Sequence, residues 1–422
     1  MNLFDKNMSE NTIKFQRKLW ENPWGYAESF FIGFGLMLTG FFLEVFAGSE
    51  HIVTVSYPYN IFILFGYILV LFVLYKKFAD KQLIRWLTKV PASISSIVLI
   101  TILVMFMGII PQVPSTNNLI NNLGLNRITT NWAFLLILFQ FLTCLGLISI
   151  KRILQFKWSN FGFILNHVGL FLALTAGMLG TGDLQRLSIN LYEEKPSWIA
   201  TDAQNNQLEL PFAFYLKDFV IEEYAPKLAL IDNSTGSISQ NKGNNLYLVE
   251  KDETYFFNNF EVTVEDYLPN AIRFGMRYEP VNEIGAPPAA FISVKNIEND
   301  SIQKGWISSG SFRYSYESLK INDAYSMVMT IPEAKKFSSD IDILTKEGER
   351  ISTVLEVNKP FKFRGYKIYQ LSYDDKMGKW SNLSVLELVK DPWLPLIYLG
   401  IFMMIAGAIY MFWMGNKITK NE

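Results

Sequence analysis

The sequence predicts an α-helical membrane protein with six transmembrane helices and one large β-rich domain carried between the fifth and the sixth. Three observations lead there. Six stretches, 26–47, 59–75, 92–110, 132–150, 160–180 and 393–415, are apolar and long enough to cross a bilayer, which takes ~20 residues in a helix. The segment between the last two is far more polar, and its apolar side chains often alternate, as they do in half-buried strands. Half of the 422 residues are apolar and 15% are aromatic, which suits a membrane part joined to a water-facing part. The expected division is 1–25, a cytoplasmic N-terminal segment; 26–182, five helices; 183–391, the extracytoplasmic β domain; and 392–422, the sixth helix with a short cytoplasmic tail.

Five of the six stretches contain no Asp, Glu, Lys or Arg. The first carries Glu28 and Glu44 near its two ends, where both are read as structural residues that snorkel to the headgroups. A hydrophilic segment precedes this stretch and no small-residue cleavage site follows it, so it is expected to stay as a helix and not to leave as a signal peptide. Orientation follows from the short loops, because basic residues are retained on the cytoplasmic side. Lys6, Lys14, Arg17 and Lys18, then Lys76, Lys77, Lys81, Arg85 and Lys89, then Lys151, Arg152 and Lys157, and finally Lys417 and Lys420 fall on one side, whereas the short loops of the other side hold only Arg127. Both termini are therefore expected in the cytoplasm and the β domain outside, in the cytoplasmic (inner) membrane of a bacterium-like cell. Trp24, Trp132, Trp158, Trp393 and Trp413 lie close to helix ends and are read as interfacial anchors.

Within the polar segment, Leu187, Ile189 and Leu191, and again Phe260, Val262 and Val264, show the two-residue period of a strand. Further aromatic and β-branched runs at 212–223, 325–331, 351–357, 366–373 and 383–389 are separated by Gly, Asn, Pro and Asp. With no long amphipathic helix among them, sandwich-like or barrel-like sheets are expected. The low-complexity stretch 232–245 reads as a mobile hairpin or loop.

Several functions are excluded or unsupported. A net charge of -1 without a basic patch speaks against nucleic acid. A single cysteine, Cys144, excludes intrachain disulfides, CxxC redox chemistry and cysteine-rich zinc sites. There is no nucleotide-binding glycine loop, no HExxH, no GxSxG and no pair of intramembrane carboxylates.

The most informative polar residue is His167. It stands about seven positions into the fifth stretch, ~10 Å inside its cytoplasmic end. Polar groups at that depth serve a pathway, a ligand or an interhelical hydrogen bond, and spacing alone leaves a histidine bonded to a neighbouring helix as open as a ligand. Gly162, Asn166, Gly169, Ala173, Gly177 and Gly180 recur at helical intervals and form a small-residue face. His167 points ~100° away from Asn166. One helix of this chain can thus occupy the small face while His167 addresses a different neighbour. His51, the only other histidine, is read as a solvated loop residue near the opposite membrane face. Gln140 and Cys144 share a face of the fourth helix and read as packing.

Several segments, in order, resemble the ResB/CcsB family of system II cytochrome c biogenesis. They are GIIPQ at 108–112, NHVGLFLALTAGMLG at 166–180, LPFAFYLKDFVIEEY at 210–224 followed by Ala225, Pro226 and Lys227, NKPFKFRGYKIYQLSYDD at 358–375, and VLELVKDPWLPLIYLG at 385–400. The resemblance covers roughly 95–415. It implies a haem-handling subunit of the cytochrome c synthase, with haem b as the transported ligand and c-type apocytochromes served outside the membrane. The partners it implies are a CcsA/ResC-type protein with a tryptophan-rich WWD motif and outer histidines, and the thiol-reducing proteins of the same pathway. This chain has no W-x-x-W-x-W-D run among its ten tryptophans, so it resembles one half of that machine. By the resemblance, His167 matches the family's transmembrane histidine, an axial ligand to haem iron taken up from the cytoplasmic side, with the opposite ligand supplied by the partner. Asn166, its helix neighbour, is the weaker haem-binding candidate. His51 and His167, predicted near opposite faces, do not readily hold one haem between them.

Two features depart from a simple transfer. The family core has three helices before the outer domain and this chain has five, so the first two are additions whose role their sequence does not decide. Thioether formation needs the apocytochrome's reduced CxxCH, and no general base for it is evident here. A non-catalytic or co-catalytic subunit of a haem lyase is expected. The alternative is a membrane-anchored binding or sensory module with a ligand-recognising β domain, although the tail after the sixth helix is too short for an output domain. A secondary transporter would bring internal repeats, and none is found.

Overall fold

The computed structural model describes residues 19–48, 54–240 and 244–418, with side chains as far as 414. His51 and the basic residues Lys6, Lys14, Arg17, Lys18 and Lys420 lie outside the described residues, as does the side chain of Lys417. The chain forms two compact units, one of helices (1–184 and 391–422) and one of strands (185–390).

The helices, in chain order, are α1 (Tyr26–Ala47), α2 (Tyr59–Phe78), α3 (Gln82–Leu87), α4 (Val90–Ile109), α5 (Asn118–Asn122), α6 (Trp132–Leu154), α7 (Phe161–Leu179) and α8 (Leu394–Ile418). Among the described residues, six spans are long and apolar enough to cross a membrane: Tyr26–Ala47, Tyr59–Phe78, Val90–Ile109, Trp132–Leu154, Trp158–Gly182 and Leu394–Met414. They are the six expected from the sequence. Local chemistry sets their ends. Pro91 sits in the first turn of α4, where a missing N–H costs nothing. The Asn131 side chain caps α6 by accepting the N–H of Ala133 at 2.8 Å, and Lys151 and Arg152 occupy the last turn, facing the negative end of the helix dipole.

Two expectations about the membrane part need correction. Glu28 and Glu44 do not snorkel: they are 3% and 2% exposed. Glu28 accepts the backbone N–H groups of Gly25 at 2.8 Å and Trp20 at 3.1 Å, which caps α1. Glu44 takes the Arg127 guanidinium at 2.9 Å and the N–H of Trp132 at 3.3 Å. Both remain structural, but a buried carboxylate is tolerated here because donors of the protein itself replace water. The tryptophans also divide. Trp158 and Trp413 are exposed, as anchors are, whereas Trp393 is buried and donates its indole N–H to Asp183 at 2.6 Å. Trp132 likewise donates to the carbonyl of Gly48 at 3.0 Å, and Trp24 meets Trp86 edge-on. Trp393 and Trp132 thus give their one donor to an internal acceptor, whereas the buried Nε1 of Trp24 has no hydrogen-bond partner among the described residues.

The β unit begins at Gln185 and ends at Lys390, whose strands pair with each other. Residues 183, 184 and 391 therefore go with the helices, where the side chains of Asp183 and Asp391 bond helical residues. One eight-stranded sheet has the spatial order Arg350–Glu356, Ala334–Thr345, Gln207–Glu223, Pro196–Thr201, Gln185–Tyr192, Leu383–Lys390, Tyr366–Tyr373 and Phe361–Phe363. Its inward residues, among them Leu187, Ile189 and Leu191 with Phe214, Leu216, Ile341, Ile368 and Leu388, form a single core. The sheet curls across that core, so that Phe363 at one end meets Phe212 with ring centroids 5.1 Å apart.

The strands of 227–329 are an insertion between Gln207–Glu223 and Ala334–Thr345, two neighbours in the large sheet. Two four-stranded sheets make this lobe. One runs Ile302–Ser308, Ala289–Asn296, Phe260–Leu268, Thr254–Phe257, and the other Leu319–Lys320, Tyr325–Met329, Lys227–Asp232, Leu246–Leu248. Val262, Val264, Ile292 and Val294 of the first share a core with Leu228, Leu230, Met327 and Met329 of the second, which is a sandwich. A two-stranded ribbon, Ala271–Phe274 with Arg277–Pro280, completes the unit. In the low-complexity stretch the described residues make a tight turn in which Gly236 N–H returns to the carbonyl of Asp232 at 2.8 Å; residues 241–243 lie outside the described residues.

One buried charge in the large sheet gives a pH prediction. Asp342, 0% exposed, accepts the Ser352 hydroxyl at 2.5 Å and the Arg350 Nε–H at 2.8 Å, with Lys217 Nζ at 3.6 Å. The Ser352 hydroxyl, against the upward push of burial and with the help of Arg350 and Lys217, holds its carboxyl below the usual carboxylate range. A depressed folded-state value means stability that is present above the unfolded value, about 3.9, and lost as pH falls through the folded value. Asp342→Asn is expected to lower the melting temperature at pH 7 and to flatten its decline between pH 5 and pH 3. An unchanged pH profile of thermal melting would show that this carboxylate carries no such linkage.

Candidate functional site

His167 is the seventh residue of α7 and is partly buried. Its Nδ1 lies 3.0 Å from the carbonyl oxygen of Phe163, one turn back. A carbonyl can only accept, so Nδ1 carries the proton, and in the neutral ring Nε2 keeps its lone pair. Among the described residues Nε2 makes no hydrogen bond. The imidazole stacks on the Phe163 ring, with centroids 3.6 Å apart and planes inclined by 21°, and the Arg152 guanidinium carbon stands 5.2 Å from the centre of that same ring. The ring is thus fixed in tautomer and direction by its own helix, and its outer nitrogen is free to act as a base or a metal ligand.

The small-residue face of α7 is occupied by α8. A Cβ at Gly169 would stand 2.6 Å from the carbonyl oxygen of Gly400, and one at Gly407 would stand 2.7 Å from that of Gly162. Two glycines seven residues apart on each helix therefore meet in antiparallel order, Gly162 with Gly407 and Gly169 with Gly400. Asn166 belongs to this seam: a Cβ at Gly407 would meet its backbone nitrogen and its Nδ2 at 2.9 Å. Asn166 therefore sits against α8, while the ring of His167, adjacent in sequence, stacks on Phe163 of its own helix. Gly180 is filled against Trp393, and Gly177 has open space.

Sequence reasoning missed Asp183, just beyond the fifth span. Its carboxylate accepts the N–H of Tyr57 at 2.7 Å, Asn60 Nδ2 at 2.7 Å and the Trp393 indole, and Asn60 Nδ2 also reaches the carbonyl of Leu179 at 3.1 Å. Burial pushes this carboxyl up, but the three donors prevail and hold it below the usual range. The entry of α2, the exit of α7 and the entry of α8 are tied at one point. A lone acid immediately after a glycine-ended span was the available signal. Gln140 and Cys144 are both buried on α6, and both amide atoms of Gln140 lack a partner among the described residues, so packing alone leaves this amide unsatisfied.

In the β unit, a groove of ≈ 510 Å³ is lined by Glu223, Pro287, Pro288, Phe312, Ile331, Pro332, Met377, Lys379 and Trp380, among others. Lys379 Nζ donates to Asn270 Oδ1 at 2.7 Å and stands 3.6 Å from Glu223 and 5.4 Å from the centre of the Trp380 ring. The lining is mainly apolar, with Glu223, Asp375, Lys376 and Lys379 as its charged members, a form that suits a binding surface.

Six spans among the described residues, a two-lobed β unit carried between the last two, and a histidine in the fifth span beside a glycine-locked helix pair define a multi-pass membrane protein. Residues 307–382 match the model of the ResB-like family, which bears out the resemblance to ResB/CcsB drawn from the motifs. The matched segment includes the 358–375 motif and much of the groove wall; α7 lies outside it. No curated protein matches the chain significantly.

Proposed function

We propose that this chain is the haem-handling subunit of a system II cytochrome c synthase. It receives haem b from the cytoplasmic side and helps attach it to c-type apocytochromes outside, in company with a CcsA/ResC-type WWD protein. The observation that carries this reading is His167, with Nδ1–H tied to the Phe163 carbonyl and Nε2 unengaged. Bound there, haem supplies an iron that takes a neutral imidazole as axial ligand. The chain's part is to hold the ring in the ligating tautomer and to keep α7 rigid through the α8 seam.

In this reading iron arrives already chelated by its macrocycle. The opposite ligand comes from the partner. In this reading the β unit faces the extracytoplasmic side, as the basic inner loops imply, and its groove beside Trp380 is the surface that meets the apocytochrome or the partner.

The test is spectroscopic. Purified with its WWD partner, the wild-type complex should show a haem absorption spectrum, and His167→Ala should lose most of it, with added imidazole restoring the signal. An unchanged spectrum in His167→Ala refutes the ligand assignment.

A further inference from the structure

Arg152 closes α6 on the same side of the helical unit as the start of α7, and among the described residues it is the cation placed against the ring that carries His167. Its Nε is buried without a hydrogen-bond partner, and among the described residues no carboxylate pairs with its guanidinium. A guanidinium at the edge of a membrane span is costly to leave unpaired. The C-terminal dipole of α6 and the face of Phe163 offset part of that cost, but neither supplies the two-oxygen acceptor that the planar fork of an arginine fits.

We infer that Arg152 is the counter-ion for an anionic oxygen group of the ligand held at His167, namely a haem propionate carboxylate. This rests on the haem reading of His167. Haem carries its two carboxylates on one edge and its iron at the centre, so a ligand gripped through iron presents an anion to one side only. The Phe163 ring, in contact with the imidazole and next to the guanidinium, brings a metal ligand and a carboxylate receptor onto one aromatic neighbour. With Arg152 at the end of the span and His167 deeper along α7, the carboxylate edge points to the side on which Lys151 and Lys157 also lie. The same chemistry would suit a phospholipid phosphate, and the experiment separates the two sources.

The full-length protein is placed in nanodiscs of phosphatidylcholine and titrated by absorbance with ferric haem b and, separately, with its dimethyl ester, which keeps the iron and lacks the carboxylates. Wild type is expected to prefer haem over the ester by ~10- to 100-fold, the range of one charge-assisted hydrogen-bonded pair. Arg152→Gln should bring haem down to the affinity of the ester while ester binding stays unchanged, which also shows that the variant is folded. Arg152→Lys should keep part of the preference. A preference that survives in Arg152→Gln overturns the proposal. So does a wild type with no preference whose Arg152→Gln variant loses co-purifying phosphatidylglycerol, because the cation then serves a headgroup. Failure of the underlying reading is a separate result: His167→Ala would leave both titrations unaltered.

Discussion

Gly169→Leu should lower the melting temperature of the detergent-solubilised protein by more than ~5 °C and reduce its folded yield, the largest effect expected of any single substitution in the helical unit. Inside a bilayer there is no hydrophobic gain from helix association, because lipid is as apolar as leucine, so close packing must hold the helices together. At Gly169 an added Cβ would lie 2.6 Å from the Gly400 carbonyl oxygen, 2.9 Å from Met403 Cβ and 3.0 Å from the backbone nitrogen of Met404. Two of the three are backbone atoms and cannot rotate away. Relief requires α8 to retreat along its whole length, which also opens the Gly162–Gly407 contact and removes Asn166 from its seat. A forced insertion into a packed core costs about 1–3 kcal/mol, and here the damage propagates to a second contact seven residues away. Gly177→Leu is the control, since nothing lies within 4 Å of its Cβ position, and replacing a helical glycine should by itself favour the helix. Equal melting of wild type and Gly169→Leu would mean that the seam does not hold α7 to α8.

The contrast between these two glycines marks what the sequence could disclose. Apolar runs such as 92–110 have no stable alternative to a membrane helix, and the alternation of Leu187, Ile189 and Leu191 or of Phe260, Val262 and Val264 admits little but a strand. Both were legible because period and length are local. The stripe from Gly162 to Gly180 was legible as a packing face as well. Its partner was not, because Gly400 and Gly407 lie more than two hundred residues away, and nothing local says which helix a small face will receive. The same limit hid the insertion of 227–329: the strands on either side of it pair through Leu216 with Ile341 and Phe214 with Ile343, a long-range register that period alone does not encode. Of the candidate site, His167 could be singled out by the cost of an imidazole in a span. Its tautomer depended on the Phe163 carbonyl, and the unpaired Arg152 was visible only as one basic residue among several of an inner loop. Asp183 was overlooked because a single acid at a span end looks like ordinary solvation until Tyr57, Asn60 and Trp393 are seen converging on it.

The second large effect belongs to the β unit. A fragment of residues 185–390 is expected to fold alone with a cooperative transition, and Phe214→Ala should remove about 3–5 kcal/mol of its stability in urea unfolding. The first part follows from closure: the first and last strands, Gln185–Tyr192 and Leu383–Lys390, pair along their full length, and both cores are made wholly of residues within those limits. The second follows from position. Phe214 is 0% exposed, packs edge-on against Phe212 at 5.5 Å, and lies on the Gln207–Glu223 strand between Ala334–Thr345 and Pro196–Thr201. Truncation leaves a cavity that two hydrogen-bonded neighbours prevent from collapsing, so the transfer cost and the cavity cost add. Val220 on the same strand is 47% exposed, and Val220→Ala should change stability by less than about 1 kcal/mol. If Phe214→Ala costs no more than Val220→Ala, or if the fragment melts without cooperativity, then the curled sheet is not an independent core, and its order must be borrowed from the helices to which both its ends are joined.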